Sequence, residues 1–476
     1  MNSFNIKKPF VSGLAAISLV LTVEVVIAQS IDFDKKLGAS NAESVKKQMG
    51  IYNNPSMTAY VGSIGQRLVN NLEKPLFEYK FHLVPDPSPN AFALPGGYIY
   101  VTTGLISILK TEDEMACILA HEIIHSNNRH SVKQMRKGII PGLLALPGEI
   151  LGIVNDKLGE IFVAPSHLLV AKYSRKYETE ADVQGVQLAL KSGYDPNALK
   201  AALNRMTTTI ELLTGQSEEK SYFSDHPFTP DRVTRLDKEL KEAKLNISGP
   251  ISPTFLSNFD GLLFGQNPKF GVIHKQSILN PTLNLSVSFP EKWNLFLESG
   301  RMCGIIENQE AAIAIGTETE HATATDAANA FVQEVPEKQK NSYKRRVYTH
   351  PNGQGVLISM KETTKDVVVW AHILWLPHDG KLLKIVGMST QDHLPTLKSI
   401  VDQMKTLSPE EKKSITIQEL KSVQSSSNQT LEDLANSSKN VLRMYVVEAI
   451  NEMKMTDRVD PTEWIKIIKE QPYTAP

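Results

Sequence analysis

Apolar residues recur at helical spacing through several stretches of the first half of the chain. The segments Ala42–Met49 and Met57–Leu72 have apolar side chains at every third or fourth position, which predicts two amphipathic helices. A third helix is predicted from a Thr111 N-cap through His125, with acidic residues at 112–114 in the first turn, where the helix dipole favours anions. A fourth helix is predicted over Ser174–Lys191, before a helix-terminating glycine.

Alternating positions before the third helix predict a small antiparallel sheet. Residues 76–84 alternate like a strand, and the prolines within 85–89 form a turn. The short segments 90–94 and 98–101 flank a tight Pro-Gly-Gly turn, as expected for a hairpin.

The pattern changes after Gly249-Pro250, which we take as the first domain boundary. Residues 265–405 predict an α/β accessory module, and residues 415–470 predict a small tail of strand, two helices and strand. The predicted fold class is therefore α+β: a mainly helical domain over residues 29–250 that contains the small sheet, followed by these two modules.

The first 28 residues have the layout of a secretory signal peptide. Two lysines precede an apolar stretch that ends in Val26-Ile27-Ala28, so cleavage is predicted after Ala28. The alternative is an uncleaved anchor, which Glu24 disfavours because a charge in a spanning helix is costly. Residues 138–170 are rich in Ile, Leu, Gly and Pro, and both peripheral membrane contact and ordinary helix packing remain open for them.

Composition and charge indicate which kinds of macromolecule the protein binds. The 476 residues are 41% hydrophobic and 22% charged, which is typical of a globular chain of several domains. The net charge is -1, from 51 basic and 52 acidic residues, and no long basic run occurs, so no nucleic-acid partner is predicted. The two cysteines, Cys117 and Cys303, are expected to be unpaired.

His121 and His125 lie four residues apart on the third predicted helix, so both imidazoles project from one face. Two ring nitrogens can then reach one zinc at about 2.0–2.1 Å, and Glu122 lies beside them, able to touch a metal-bound water but not to replace it. This is the H-E-x-x-H arrangement. Because the motif also arises by chance, a further ligand has to decide its meaning.

Glu178, on the fourth predicted helix, is the candidate for that ligand, because a catalytic zinc needs a third protein ligand and an open fourth position. Asp182 lies one turn later on the same face, where it can accept the second N–H of a zinc-bound histidine. A solvated acidic helix face is the alternative, and the H-E-x-x-H motif in the preceding helix makes it the weaker explanation.

These motifs, in this order, resemble the HtpX/BepA type of zinc metallopeptidase, an H-E-x-x-H gluzincin family related to the CAAX prenyl protease. The resemblance covers residues 35–245 and rests on the segments 90–105, 121–130, 174–182, 193–196 and 225–227. It implies a zincin-type domain with one zinc per chain, bound by His121, His125 and Glu178. It also implies that Glu122 is the general base.

The resemblance assigns further residues that spacing alone does not select. His226 and Arg232 are expected near the metal, where they stabilise the transition state or, for His226, cap the zinc in a latent state. His130 matches a family position and is expected to make a structural hydrogen bond. The substrate is expected to lie extended along one strand, pairing backbone to backbone with Asn90, Ala91, Phe92 and Ala93.

The expected function is therefore hydrolysis of peptide bonds in unfolded or misassembled envelope proteins of the periplasm, outer-membrane proteins among them. Glu122 would act as the base on a zinc-bound water. The alternative is a latent protease that acts mainly as a chaperone or assembly factor for envelope proteins.

Two resemblances in the second half are weaker. Residues 287–293 resemble the opening of a PsbP/Mog-like module, and residues 415–470 resemble a LysM-type module, a fold that binds peptidoglycan. Peptidoglycan contact through the tail is the expectation that follows. The alternative is that both modules pack on the protease and narrow access to its site.

Overall fold

A computed structural model gives the arrangement of helices and strands. It describes residues 30–135, 173–214, 226, 240, 254–298, 300–306, 310–335, 343–364, 367–390, 393–426 and 428–474. The helices are α1 (Ile31–Gln48), α2 (Pro55–Val69), α3 (Thr103–Ile108), α4 (Glu112–Asn127), α5 (His130–Met135), α6 (Arg175–Lys191), α7 (Ala198–Thr214), α8 (Ala324–Glu334), α9 (Leu394–Asp402), α10 (Pro409–Lys413), α11 (Leu431–Ser437) and α12 (Met444–Asn451).

The strands are β1 (Lys80–Val84), β2 (Ala91–Leu94), β3 (Tyr98–Thr102), β4 (Leu263–Phe264), β5 (Val272–His274), β6 (Ser277–Asn280), β7 (Leu285–Ser288), β8 (Trp293–Glu298), β9 (Arg301–Ile306), β10 (Ala311–Thr317), β11 (Tyr343–His350), β12 (Gly353–Thr364), β13 (Val367–His378), β14 (Lys381–Ser389), β15 (Lys405–Thr406), β16 (Thr416–Gln424) and β17 (Trp464–Pro472). A helical first half thus precedes a β-rich second half, and the predicted α+β class is confirmed.

Several predicted elements fall outside the described residues. They are the signal peptide (1–28), the apolar segment 138–170 and the boundary at 249–250. Among the residues that are described, no helix combines the length and the apolar character needed to cross a membrane.

Side-chain caps set the starts of the two helices that matter most for the site. The Thr111 hydroxyl accepts a hydrogen bond from the Glu114 backbone N–H at 3.2 Å and so starts α4. The Ser174 hydroxyl accepts from the Tyr177 N–H at 3.4 Å and starts α6 in the same way. These caps fix where the H-E-x-x-H segment and the Glu178 segment lie along their helices.

The small sheet differs in one respect from the prediction. Its order is β1-β3-β2, and β3 pairs antiparallel with β2 but parallel with β1, so the sheet is mixed rather than antiparallel. The reason is that the hairpin at 95–97 returns β3 into the gap between β1 and β2, instead of adding it outside them. Strand β2 is left at the edge of this sheet.

Helix α4 runs through the core of the first half. Every residue from Glu114 to Ser126 is buried, and the helix contacts α2, α6, α7 and β2. Gly185 of α6 makes the closest approach: a Cβ there would lie 3.3 Å from the backbone N and Cα of His121. The lack of a side chain therefore lets α6 lie directly against the turn of α4 that contains His121.

The second half contains a seven-stranded sheet in the order β11-β12-β13-β14-β10-β9-β8, with antiparallel pairing at every junction. Adjacent residues of a strand face opposite sides. Accordingly, Leu374 packs in the apolar cluster that includes α9, and Trp375 packs in the cluster that includes α8. Cys117 and Cys303 are both buried.

The tail has the predicted order of strand, two helices and strand. Its strand β16 pairs with β17 on one side and with β4 on the other. Leu420 and Ile468 lie in the same apolar core as helices α2, α4 and α7. The tail therefore shares a core with the helical domain.

Candidate metal centre

The two histidines of α4 face each other inside the protein. His121 and His125 are fully buried, and their Nε2 atoms lie 2.9 Å apart. The four-residue spacing on one helix face accounts for this arrangement. The packing of α6 against α4 then decides what lies opposite them.

Glu178 of α6 lies opposite both histidines. Its Oε2 is 3.6 Å from His121 Nε2, and its Oε1 is 3.4 Å from His125 Nε2. The carboxylate therefore closes the third side of the cluster, from the first turn of its helix.

His226 adds a fourth donor from a distant part of the chain. It is fully buried, and its Nδ1 lies 3.0 Å from Glu178 Oε1 and 3.1 Å from His121 Nε2. Its Nε2 lies 3.4 Å from Oε1 of Glu122, which is also fully buried. Arg232, the other residue predicted here, lies outside the described residues.

The four donors suit a zinc ion. One ligand atom from each of His121, His125, Glu178 and His226 lies within 4.8 Å of the others. Ligands about 2.0–2.1 Å from a tetrahedral zinc lie about 3.3 Å from one another. The donor separations of 2.9 to 3.6 Å span that value. Nitrogen and carboxylate donors in a buried site are also the chemistry that zinc prefers.

The protonation of the site favours metal binding. Burial and the neighbouring His121 lower the pKa of His125 well below its usual range, so the ring is neutral. Burial acts to raise the pKa of Glu178. The neighbouring His226 and hydrogen bonding with His125 outweigh burial and hold the pKa well below its usual range. A neutral imidazole and an ionised carboxylate are the forms that bind zinc.

Both metal-facing histidines are oriented through their second nitrogen. His121 Nδ1 lies 3.1 Å from Asp182 Oδ1, the contact that the sequence predicted. His125 Nδ1 lies 3.0 Å from Nδ1 of His130, whose pKa burial lowers to about 3. Such outer contacts fix the tautomer and the direction of a ligand ring.

Residues 55–240 match peptidase family M48, and this range contains all four donors. This part of the chain is similar to an M48 peptidase domain. The resemblance to metallopeptidases of the HtpX/BepA type that the sequence indicated is thereby confirmed for this part of the chain.

Two relatives illustrate how far the M48 similarity extends. The mitochondrial metalloendopeptidase OMA1 of Schizosaccharomyces pombe is 31% identical over 221 residues, which are 45% of this chain and 64% of that protein. The beta-barrel assembly-enhancing protease of Escherichia coli is 27% identical over 252 residues, 48% of this chain and 51% of that protein. This chain therefore spans less than two thirds of either relative.

Similarity to solved structures is weak. The solution structure of cyanobacterial PsbP from Synechocystis covers 30% of this chain and 98% of its own, with a TM-score of 0.22 and 12% identity. A score this low carries no argument. The PsbP/Mog-like and LysM-like resemblances stay predictions from the sequence.

The sequence left two contacts of the M48 site unassigned. Tyr173 stacks on the His125 ring with centroids 3.9 Å apart, and no spacing signal points to it. His130 contacts Glu180 Oε2 at 3.2 Å through its second nitrogen, and no spacing signal points to this contact either. A histidine five residues after the motif was the available signal, but its direction depends on the turn between α4 and α5.

Proposed function

We propose that this chain is a zinc-dependent endopeptidase that hydrolyses peptide bonds in unfolded or misassembled envelope proteins. The observation that carries the proposal is the convergence of His121, His125 and Glu178, with Glu122 on the same buried turn of α4. A zinc ion held there supplies a Lewis acid that polarises a peptide carbonyl and lowers the pKa of water.

Glu122 is proposed as the general base. It is the one carboxylate of α4 that lies between the two histidine ligands in sequence, and it is fully buried. It would take a proton from the attacking water and deliver it to the leaving peptide nitrogen. His226 and Arg232 are the residues proposed to stabilise the oxyanion if the site opens to admit a carbonyl.

Strand β2 is the proposed substrate track. The Thr102 backbone N–H donates to the Asn90 carbonyl at 3.0 Å, so alternation along an antiparallel pair turns the backbone groups of Ala91 and Ala93 to the free edge. The side chains of Ala91, Phe92 and Ala93 are buried. Recognition would use backbone groups, which suits unfolded proteins of varied sequence.

The proposed location is the periplasm, with outer-membrane proteins among the substrates. The predicted signal peptide supports export, and the name of the Escherichia coli relative refers to assembly of beta-barrels. Contact of the tail with peptidoglycan and of residues 138–170 with a membrane are further predictions from the sequence alone.

A second candidate function is that of a latent protease, acting mainly as a chaperone or assembly factor. His226 favours it, because a fourth protein donor fills the position that a catalytic zinc site keeps open for water and substrate. In this state clients would be bound along β2 but not cut until His226 leaves the cluster.

Cleavage of casein by the zinc-loaded full chain tests both functions. Wild type is expected to cleave, and Glu122→Gln to bind zinc but not to cleave, with the exposed Glu211→Gln on α7 as a control that cleaves normally. Cleavage by Glu122→Gln at the wild-type rate would refute the proposed base. A wild type that binds zinc without cleaving, together with an active His226→Ala, would favour the latent form.

A further inference from the structure

The turn between α4 and α5 has an uncommon backbone conformation. Arg129 has a φ of 58°, in the left-handed region that residues with a side chain beyond Cα rarely adopt. This residue directly precedes His130, which contacts the ligand His125. The conformation of this turn therefore decides where the His130 ring lies.

A buried carboxylate from helix α1 holds this turn. Arg129 donates from Nε and Nη2 to the two carboxylate oxygens of Asp34, both at 2.7 Å, and from Nη2 to the Ser30 carbonyl at 3.1 Å. The Asp34 residue has no solvent exposure. A two-point pair of this kind fixes the direction of a guanidinium as well as its position. The pair of Asp34 and Arg129 forms a clamp on the turn.

His130 connects this clamp to both helices of the metal centre, α4 and α6. It is fully buried, its ring stacks on Tyr177 with centroids 4.5 Å apart, and its Nε2 lies 3.2 Å from Glu180 Oε2. Tyr177 and Glu180 flank the ligand Glu178 on α6. The ring thus spans from α4 to α6 behind the donors.

The contacts specify a single direction of hydrogen bonding. Because His125 turns Nε2 towards the other donors, its Nδ1 has to hold the proton and donate to His130 Nδ1. His130 then holds its own proton on Nε2, where a carboxylate oxygen of Glu180 accepts it. With this set of tautomers each ring N–H in the series His125, His130, Glu180 has an acceptor.

We propose that Asp34 is a positioning residue of the metal centre, acting through Arg129 and His130 to hold His125 in the tautomer and direction that bind zinc. The inference rests on the proposed zinc site and extends it to helix α1, where Asp34 lies 95 residues before Arg129 in the chain. The clamp on Arg129 holds the left-handed turn, and the turn presents His130 to His125.

The main test measures zinc affinity by competition with a chromophoric chelator, in Asp34→Asn and in the control Asp32→Asn, an exposed carboxylate of the same helix. Asp34→Asn is expected to lose about 10- to 100-fold in affinity, as outer contacts of zinc ligands do. Asp32→Asn is expected to match wild type. Unchanged affinity in Asp34→Asn would overturn the proposal.

A double-mutant cycle distinguishes this role from a purely structural one, in which Asp34 only attaches α1 to the rest of the domain. If Asp34 acts through His130, Asp34→Asn changes the zinc affinity of wild type but not that of His130→Ala. The visible spectrum of the cobalt-substituted protein is expected to shift in each single variant and no further in the double variant. Equal losses in both backgrounds would overturn the proposal.

Arg129→Lys is the milder variant if Asp34→Asn does not fold, because it keeps the charge but loses the two-point contact. It is expected to lower zinc affinity in the same direction, and wild-type affinity would count against the clamp. A wild-type chain that binds neither zinc nor cobalt would overturn the proposed function itself, and this inference with it.

Discussion

Nδ1 of His226 lies 3.0 Å from Oε1 of Glu178, although the two residues are 48 positions apart in the chain. The contact turns a three-ligand site of the catalytic kind into a cluster of four donors, the number found in closed zinc sites. In the proposed function, one imidazole therefore decides whether the domain is active or latent.

If His226 caps the zinc, as in the latent form, removal of that imidazole is expected to increase proteolysis. In His226→Ala the three remaining donors keep zinc, and the fourth position becomes available to water and substrate. We expect casein cleavage to rise at least about tenfold. This corresponds to about 1.4 kcal/mol that the imidazole no longer contributes when it competes with water and substrate for the fourth position. A loss of cleavage with zinc still bound would instead assign His226 to the reaction.

Asp182→Asn is expected to weaken zinc binding without unfolding the domain. The amide can present a donor to His121 Nδ1 where the carboxylate accepts, so the ring is no longer held in the tautomer that leaves Nε2 free for the metal. The expected loss is about 10- to 100-fold in affinity. Chelator competition measures it, with Glu211→Gln as the control, and an affinity equal to that of wild type would argue against this orientation of His121.

Gly185→Val tests the close approach of α6 to α4. A side chain at this position meets the His121 backbone, so the helices have to separate and Glu178 moves away from the histidines. Overpacking of this kind costs about 1–3 kcal/mol of unfolding free energy, and a loss of zinc affinity is expected with it. Gly62→Val is the matched control, because a Cβ at that helical glycine meets nothing within 4 Å. Equal effects at the two glycines would show only a change in helix propensity.

Local spacing made the core of this site predictable. His121 and His125 share a face because four residues make about one helical turn. The same argument links Glu178 to Asp182, and Thr111 and Ser174 are recognisable caps. Both helices and three of the four donors are therefore predictable from the sequence.

Other features depend on tertiary packing that spacing does not encode. His226 is a single histidine outside the two helices, and only the family resemblance pointed to it. The contact of His130 depends on a left-handed arginine, where a glycine would have been a clearer signal. The parallel pairing of β1 with β3 depends on which side of the sheet a hairpin returns to.

The tail provides a further example of a contact that the sequence did not reveal. Lys466 of β17 is fully buried, and its Nζ donates to the carbonyls of Ser107, Ile108 and Leu109 at 2.9, 2.7 and 3.2 Å. These carbonyls end α3, directly before the helix that carries His121 and His125. The tail is therefore hydrogen-bonded to the helical domain through this lysine.

Lys466→Met is expected to destabilise the protein by about 1–3 kcal/mol or more, because buried carbonyls lose their donor. Urea unfolding followed by circular dichroism measures the change. Lys454→Met, at an exposed position of the same tail, is the control and is expected to stay within about 0.5 kcal/mol of wild type. Equal stability of the two variants would mean that the buried ammonium contributes no net stabilisation.

The most direct test of the account is the zinc content of the purified full chain, measured by elemental analysis after incubation with zinc and removal of the excess. We predict one zinc per chain in wild type and in Glu122→Gln, and a fraction of that in the double variant His121→Ala/His125→Ala. A wild-type chain without zinc, or a double variant that retains a full equivalent, would contradict the assignment of His121, His125 and Glu178 as the metal centre.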